Sequence, residues 1–261
     1  MTKLQWLIVI GSVGLFVLMY FGCDRVPPSQ QGVETNRALS AQTTTLEALL
    51  VDAKTHLNAE QANNILALES QFESTTDESG QVEVLKSLSG KWFEFGHQSI
   101  AGGYARQIAE IEGSEESWSI AGTTFAIGIQ RANELKVKEY CTEQAVQAFE
   151  NAISINPDNL DHKVNLALCY VENPSEAEPM KGIQMLLGLN QQNPENVLVL
   201  NNLGRLAIRT RQYDRAIQRL EKALSIESGN QTTICLLAQA YGETGANEKA
   251  REMSEKCNAS R

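Results

Sequence analysis

Groups that do chemistry are scarce in this chain, and those present are scattered. His56, His97 and His162 are the only histidines, and they stand at no spacing that closes a metal site. There is no HExxH, no glycine-rich phosphate loop followed by Lys, and no GxSxG turn. Cys141, Cys169, Cys235 and Cys257 are separated by 28, 66 and 22 residues, so no CxxC pair exists for zinc or thiol redox chemistry. The places of Cys169, Cys235 and Cys257 on or near packed helix faces predict buried thiols. A disulfide in an oxidising compartment is the alternative, and the chain indicates no pairing. The expectation is a protein that is not an enzyme and carries no metal and no cofactor.

Positive charge is also in short supply. Lys and Arg number 22 against 32 Asp and Glu, for a net charge of −10. A general nucleic-acid binder needs a basic face, so no nucleic-acid partner is expected. The deficit is uneven: residues 24–81 hold 3 basic against 9 acidic residues, and residues 82–261 hold 18 against 23. Proline and glycine are modest and the apolar share is 42%, which argues for a folded chain rather than an acidic disordered tail.

What the chain does have is one long apolar run. Leu4 to Phe21 reads LQWLIVIGSVGLFVLMYF, with Gln5 and Ser12 its only polar residues. As a helix it would be about 27 Å long, close to the hydrocarbon thickness of a bilayer. Trp6 and Tyr20 lie near its ends, where amphipathic aromatics favour the headgroup zone. An uncleaved transmembrane anchor over 1–23 is the first reading. A lipoprotein signal with Cys23 lipidated behind Gly22 is the second, although Tyr20 and Phe21 are bulky for such a site. A cleaved signal peptide is the third, with an apolar region longer than usual. Lys3 on one side and Arg25 and Arg37 on the other leave orientation undecided by charge.

Residues 24–44 are polar and contain Pro27-Pro28, which ends the first helix; they read as a tether. Residues 45–80 read as a helical neck. Leu46, Leu49, Leu50, Ala53 and Leu57 make one stripe, and Ile65, Leu68 and Phe72 another. The stretch 73–80 reads as a loop. The neck either covers the edge of the helices C-terminal to it or self-associates as a coiled coil, which would make a homo-oligomer.

Residues 81–261 repeat at about 34 residues. Ala145, Phe149, Ala152 and Pro157 recur as Gly182, Leu186, Leu189 and Pro194, as Ala216, Leu220, Ala223 and Ser228, and finally as Ala250, Ser254 and Cys257. Leu166-Ala167-Tyr170, Leu203-Gly204-Ala207 and Leu237-Ala238-Tyr241 form a first-helix signature, matched upstream by Trp118, Ala121, Gly122, Phe125 and by Leu88, Ser89, Trp92. Small residues let two helices approach, and the large residue beside them fills the space. This pattern resembles the tetratricopeptide repeat in about five copies. The fold expected is all-α: a helix-pair solenoid preceded by the neck and one N-terminal transmembrane helix. Ala101-Gly102-Gly103-Tyr104 lies inside a helix of this frame and reads as a packing contact. Two insertions depart from it: about eleven residues near 130–140, and three near Asn173–Pro179.

The resemblance implies a concave groove lined by first helices. By repeat phase it would show Asp161, Val164, Asn165, Leu168, then Leu198, Asn201, Asn202, Arg205, Arg209, then Thr232, Cys235, Gln239. The binding candidates are Asn165, Asn201, Asn202, Arg205, Arg209 and Gln239, whose amides and guanidinium groups suit peptide backbone and carboxylates. Residues 205–222 carry six basic against two acidic residues, with Arg211, Arg215, Arg219 and Lys222 expected on the outer face. Of the two-carboxylate clamp that some relatives use for chaperone tails, only Asn202 matches. The resemblance therefore points to a non-catalytic, membrane-anchored scaffold at the bacterial envelope. A protein or peptide would occupy its groove, the membrane would hold its N-terminal helix, and the repeats would face the periplasm. The alternative is an assembly accessory that presents a substrate polypeptide to a membrane enzyme, like the repeat proteins of cytochrome c maturation.

Overall fold

Asparagine starts the first helix of three successive pairs. Asn159, Asn196 and Asn230 each follow a short turn opened by Pro157, Pro194 or Ser228. Their side-chain oxygens accept from the backbone N–H of Asp161, Val199 and Thr233, each at 3.0 Å. That satisfies one of the amide donors every helix leaves unpaired at its start. Ser114 and Asp77 do the same for Ser117 and Gly80, and Asn58 forms a reciprocal capping box with Gln61.

The structure, a computed structural model, describes residues 44–259. Its helices are α1 (Leu46–Lys54), α2 (Ala59–Ser74), α3 (Glu78–Glu94), α4 (Gln98–Glu112), α5 (Glu115–Arg131) and α6 (Leu135–Ile155). They continue as α7 (Leu160–Glu172), α8 (Lys181–Gln192), α9 (Val197–Arg209), α10 (Tyr213–Ile226), α11 (Gln231–Thr244) and α12 (Asn247–Asn258). No strand occurs among the described residues. From α3 onward each helix packs on the next in antiparallel pairs, and first helices also touch across pairs, α5 on α7 and α9 on α11. The joint between α8 and α9 is the thinnest along this stack. The expected anchor over 1–23, with Cys23, and all but the last residue of the tether lie outside the described residues. No described helix is long and apolar enough to cross a membrane.

The small residues of the repeat work as contact points. A methyl group added at Gly122 would lie 2.8 Å from the Phe149 ring, and one at Gly204 would lie 2.7 Å from Leu220. These are equivalent positions in two different pairs, and in both the missing side chain admits the large residue of the second helix. Gly102 and Gly103 meet Phe125 and Leu46 in the same way, inside α4. Leu46, Ala53 and Ile65 of α1 and α2 are buried in one cluster with Val84, Leu88 and Trp92 of α3 and Ile100 of α4. The apolar stripes of both leading helices are thus spent inside the chain.

Several local expectations need correction. The loop expected over 73–80 is only the turn Thr75–Asp77, because Asp77 caps α3 through Gly80 and the helix begins at Glu78. Of the two outcomes open to the insertion near 130–140, longer helices or a protruding turn, the first holds: α5 and α6 run to 17 and 21 residues. Val164, expected in the groove, is fully buried with Leu186 and Leu203, since α7 turns that position toward the core. Arg219 is half-buried and donates to the Leu203 carbonyl at 3.2 Å, so it does not simply decorate the outer face. The turns after α3 and α11 use Gly96 and Gly245 at positive φ, whereas the turn after α9 places Arg211 there at φ 59°.

Candidate functional site

A groove of about 690 Å³ opens between α9 and α11. Asn201 and Asn202 within α9 and Asn230, which caps α11, build its polar wall. Thr233 donates to the Asn201 side-chain oxygen at 2.8 Å, and Asn201 donates to that of Asn230 at 3.2 Å. Asn230 in turn donates to Glu227 at 2.8 Å. Asn202 donates to the Leu198 carbonyl at 2.9 Å, and its oxygen accepts from Arg205 at 2.6 Å. Asn201 and Asn202 are buried, so these internal bonds satisfy groups that would otherwise cost stability. They tie the wall together, and Arg205, which is exposed and has spare donors, lines the opening.

Val197, Leu198 and Leu236 supply apolar lining, and Thr232, Gln231, Cys235 and Gln239 complete the α11 side. Gln231 is tied back to the Cys257 carbonyl at 2.6 Å. An apolar trough with a few oriented amide and guanidinium groups can take a peptide main chain and its side chains.

Of the sequence candidates, Asn201, Asn202, Arg205 and Gln239 come together here, with Thr232 and Cys235. Asn165 sits half-buried on α7 and does not line the groove. Arg209 lies one turn past Arg205 and pairs with Glu172 at 2.9 Å. It lines a second cavity of about 370 Å³ with Ile129, Gln130, Ala132, Lys138, Leu206 and Arg205. Sequence reasoning does not single out Asn230 or Gln231 as groove residues. The signal available is repeat phase, since Gln231 occupies in α11 the place of Val197 in α9.

The thiols divide differently from expectation. Cys235 and Cys257 form a disulfide between α11 and α12, with their Cα atoms 5.1 Å apart. Cys141 and Cys169 are buried free thiols, each pushed up to about 12 by burial and therefore unreactive. Two helices pack antiparallel here, and that places residues 22 apart side by side. His162 bonds Glu115 at 2.7 Å, and the same carboxylate accepts from Asn156 at 3.0 Å and Asn159 at 2.7 Å. This cluster ties the start of α5 to the α6–α7 turn. Among the described residues no group of three or more His, Cys, Asp or Glu is placed to hold a metal ion.

The tetratricopeptide-repeat family model matches residues 207–256, from the end of α9 into α12. No curated protein matches the chain. Similar solved structures include MamA from residue 41 to its end from Desulfovibrio magneticus RS-1, at 14% identity and TM-score 0.43, covering 68% of this chain and 93% of that one. MamA of MSR-1 is 20% identical with TM-score 0.38, covering 69% and 95%. YrrB, described as a TPR protein with an unusual peptide-binding site, is 14% identical with TM-score 0.38, covering 73% and 90%. TM-scores this low carry no argument for a site. Residues 207–256 are thus similar to tetratricopeptide repeats, and the described residues form an all-helical stack of pairs.

Proposed function

We propose that this solenoid is a non-catalytic scaffold that binds an extended protein segment in the α9–α11 groove. The N-terminal apolar run would anchor it in the cell membrane, with the repeats on the periplasmic side. The observation that carries the binding reading is the groove itself: about 690 Å³, with apolar lining beside a polar wall whose internal bonds leave Arg205 with spare donors at the opening. Preorganised walls of this kind lower the entropic cost of holding a flexible ligand. The Cys235–Cys257 bond supports the placement, because disulfides persist in oxidising compartments and are rare where thiols are kept reduced.

Photo-crosslinking in intact cells tests both parts. A crosslinking residue at Thr232 or Gln239 should trap a discrete partner, and one at Arg215 on the exposed outer face of α10 should not. Equal trapping at both faces, or none at the groove, overturns the binding reading. A membrane enzyme with its substrate polypeptide as the trapped species would assign the assembly-accessory role instead. Protease added to spheroplasts should digest the repeats; their protection until lysis would overturn the periplasmic placement.

A further inference from the structure

We infer that the second cavity is a carboxylate subsite, completing recognition of a peptide that carries an Asp or Glu side chain or a free C-terminus at this point. This rests on the groove being a peptide site and adds the chemistry of the ligand. Arg205 lines both cavities, so a segment lying in the α9–α11 groove and crossing α9 arrives at the second one. There Lys138, Arg205 and Arg209 face a single acid, Glu172, which pairs with Arg209. Among the described residues neither Lys138 nor Arg205 has an ion-pair partner, although the chain as a whole carries −10. Lys138 is half-buried and Arg205 exposed, both line this cavity, and a carboxylate between two cations relieves their repulsion.

The insertion explains why the subsite exists. Lengthening α5 and α6 to 17 and 21 residues carries Ile129, Gln130, Ala132 and Lys138 out to the level of α9. A hairpin of ordinary repeat length would leave Arg205 and Arg209 on an open face. Ile129 and Leu206 make the cavity partly apolar, which strengthens a charge-assisted hydrogen bond relative to open water. Lys138, Arg205 and Arg209 against Glu172 leave two positive charges in excess, enough to hold one carboxylate, while Glu172 beside them disfavours a polyanion.

The test uses the full chain in detergent and an array of random twelve-residue peptides, printed with free or amidated C-termini. Bound sequences are then remeasured in solution by fluorescence polarisation. Binders should be enriched in a carboxylate at one position, and replacing it with an amide should weaken binding about tenfold. Lys138→Gln with Arg205→Gln should abolish that difference. Glu172→Gln, which frees Arg209, should strengthen acidic peptides, and Arg215→Gln should change nothing. Loss on C-terminal amidation identifies a chain terminus as the ligand, and loss on Asp→Asn or Glu→Gln identifies a side chain; either supports the subsite. Peptides that bind without preferring a carboxylate, or that prefer phosphoserine, overturn the subsite and leave the groove standing. No peptide binding at all overturns both. Gain of affinity in Glu172→Gln does not depend on the double variant folding.

Discussion

A buried polar side chain in this protein serves whichever partner lies nearest, and the sequence names only the side chain. Asn201 and Asn202 were candidates for a ligand, yet each already spends its amide on Thr233, Asn230, Leu198 or Arg205. Their type and helix face were legible from repeat phase; Asn202 finds its partners within α9, whereas those of Asn201 come from α11 and its cap. Glu115 is the sharper case. Hydrogen bonds from Asn159 first, then Asn156 and His162, hold its carboxyl below the ordinary glutamate value of 4.5. Above that value the group is ionised folded and unfolded, and its contribution to stability is complete. As pH falls through the lowered native value, the folded state takes up a proton and the contribution disappears. Glu115→Gln should therefore melt lower than the parent at neutral pH and converge with it under acid, as thermal melts across pH will read. A constant gap at all pH values would remove the charge from the explanation.

Individual helices were the most legible level. Prolines and small residues are local signals, so the repeat frame read from them recurs as the stacked helix pairs. The exception at 73–80 arose because a polar Glu-Ser-Gly stretch reads as loop until Asp77 is seen capping it. The disulfide is a property of a helix pair, and it makes α11 and α12 one element. In the oxidised protein Cys235 and Cys257 should resist iodoacetamide until reductant is added, and Cys141 and Cys169 should resist it until the chain is unfolded. Reduction should lower the stability of the last pair by up to about 3 kcal/mol, the loop-entropy value for a closure of this length. Peptide mass mapping of alkylated cysteines, with hydrogen exchange on α12, reads both. Alkylation of Cys235 and Cys257 without reductant would refute the bond.

At the scale of the molecule the core is a series of clusters handed from pair to pair, from Trp92 and Leu88 at one end to Leu237 and Met253 at the other. Stability in such stacks is set by each unit and its neighbours. Leu220 is fully buried beneath Gly204, so Leu220→Ala should cost about 2–5 kcal/mol. Because the α8–α9 joint is thin, the loss should appear in α9–α12 while α3–α6 keep their hydrogen-exchange protection. Uniform loss along the chain would mean a single cooperative core instead. The repeat frame, the helix starts and the helical class were determined by the sequence, because periodic apolar spacing and caps act within a few residues of themselves. Which asparagines are spent on the wall, which cysteines pair, and that a lengthened hairpin brings Lys138 to Arg205 were decided only by the tertiary structure. Those outcomes depend on how residues from 22 to 67 positions apart are brought side by side when helices stack, and local spacing carries no record of that.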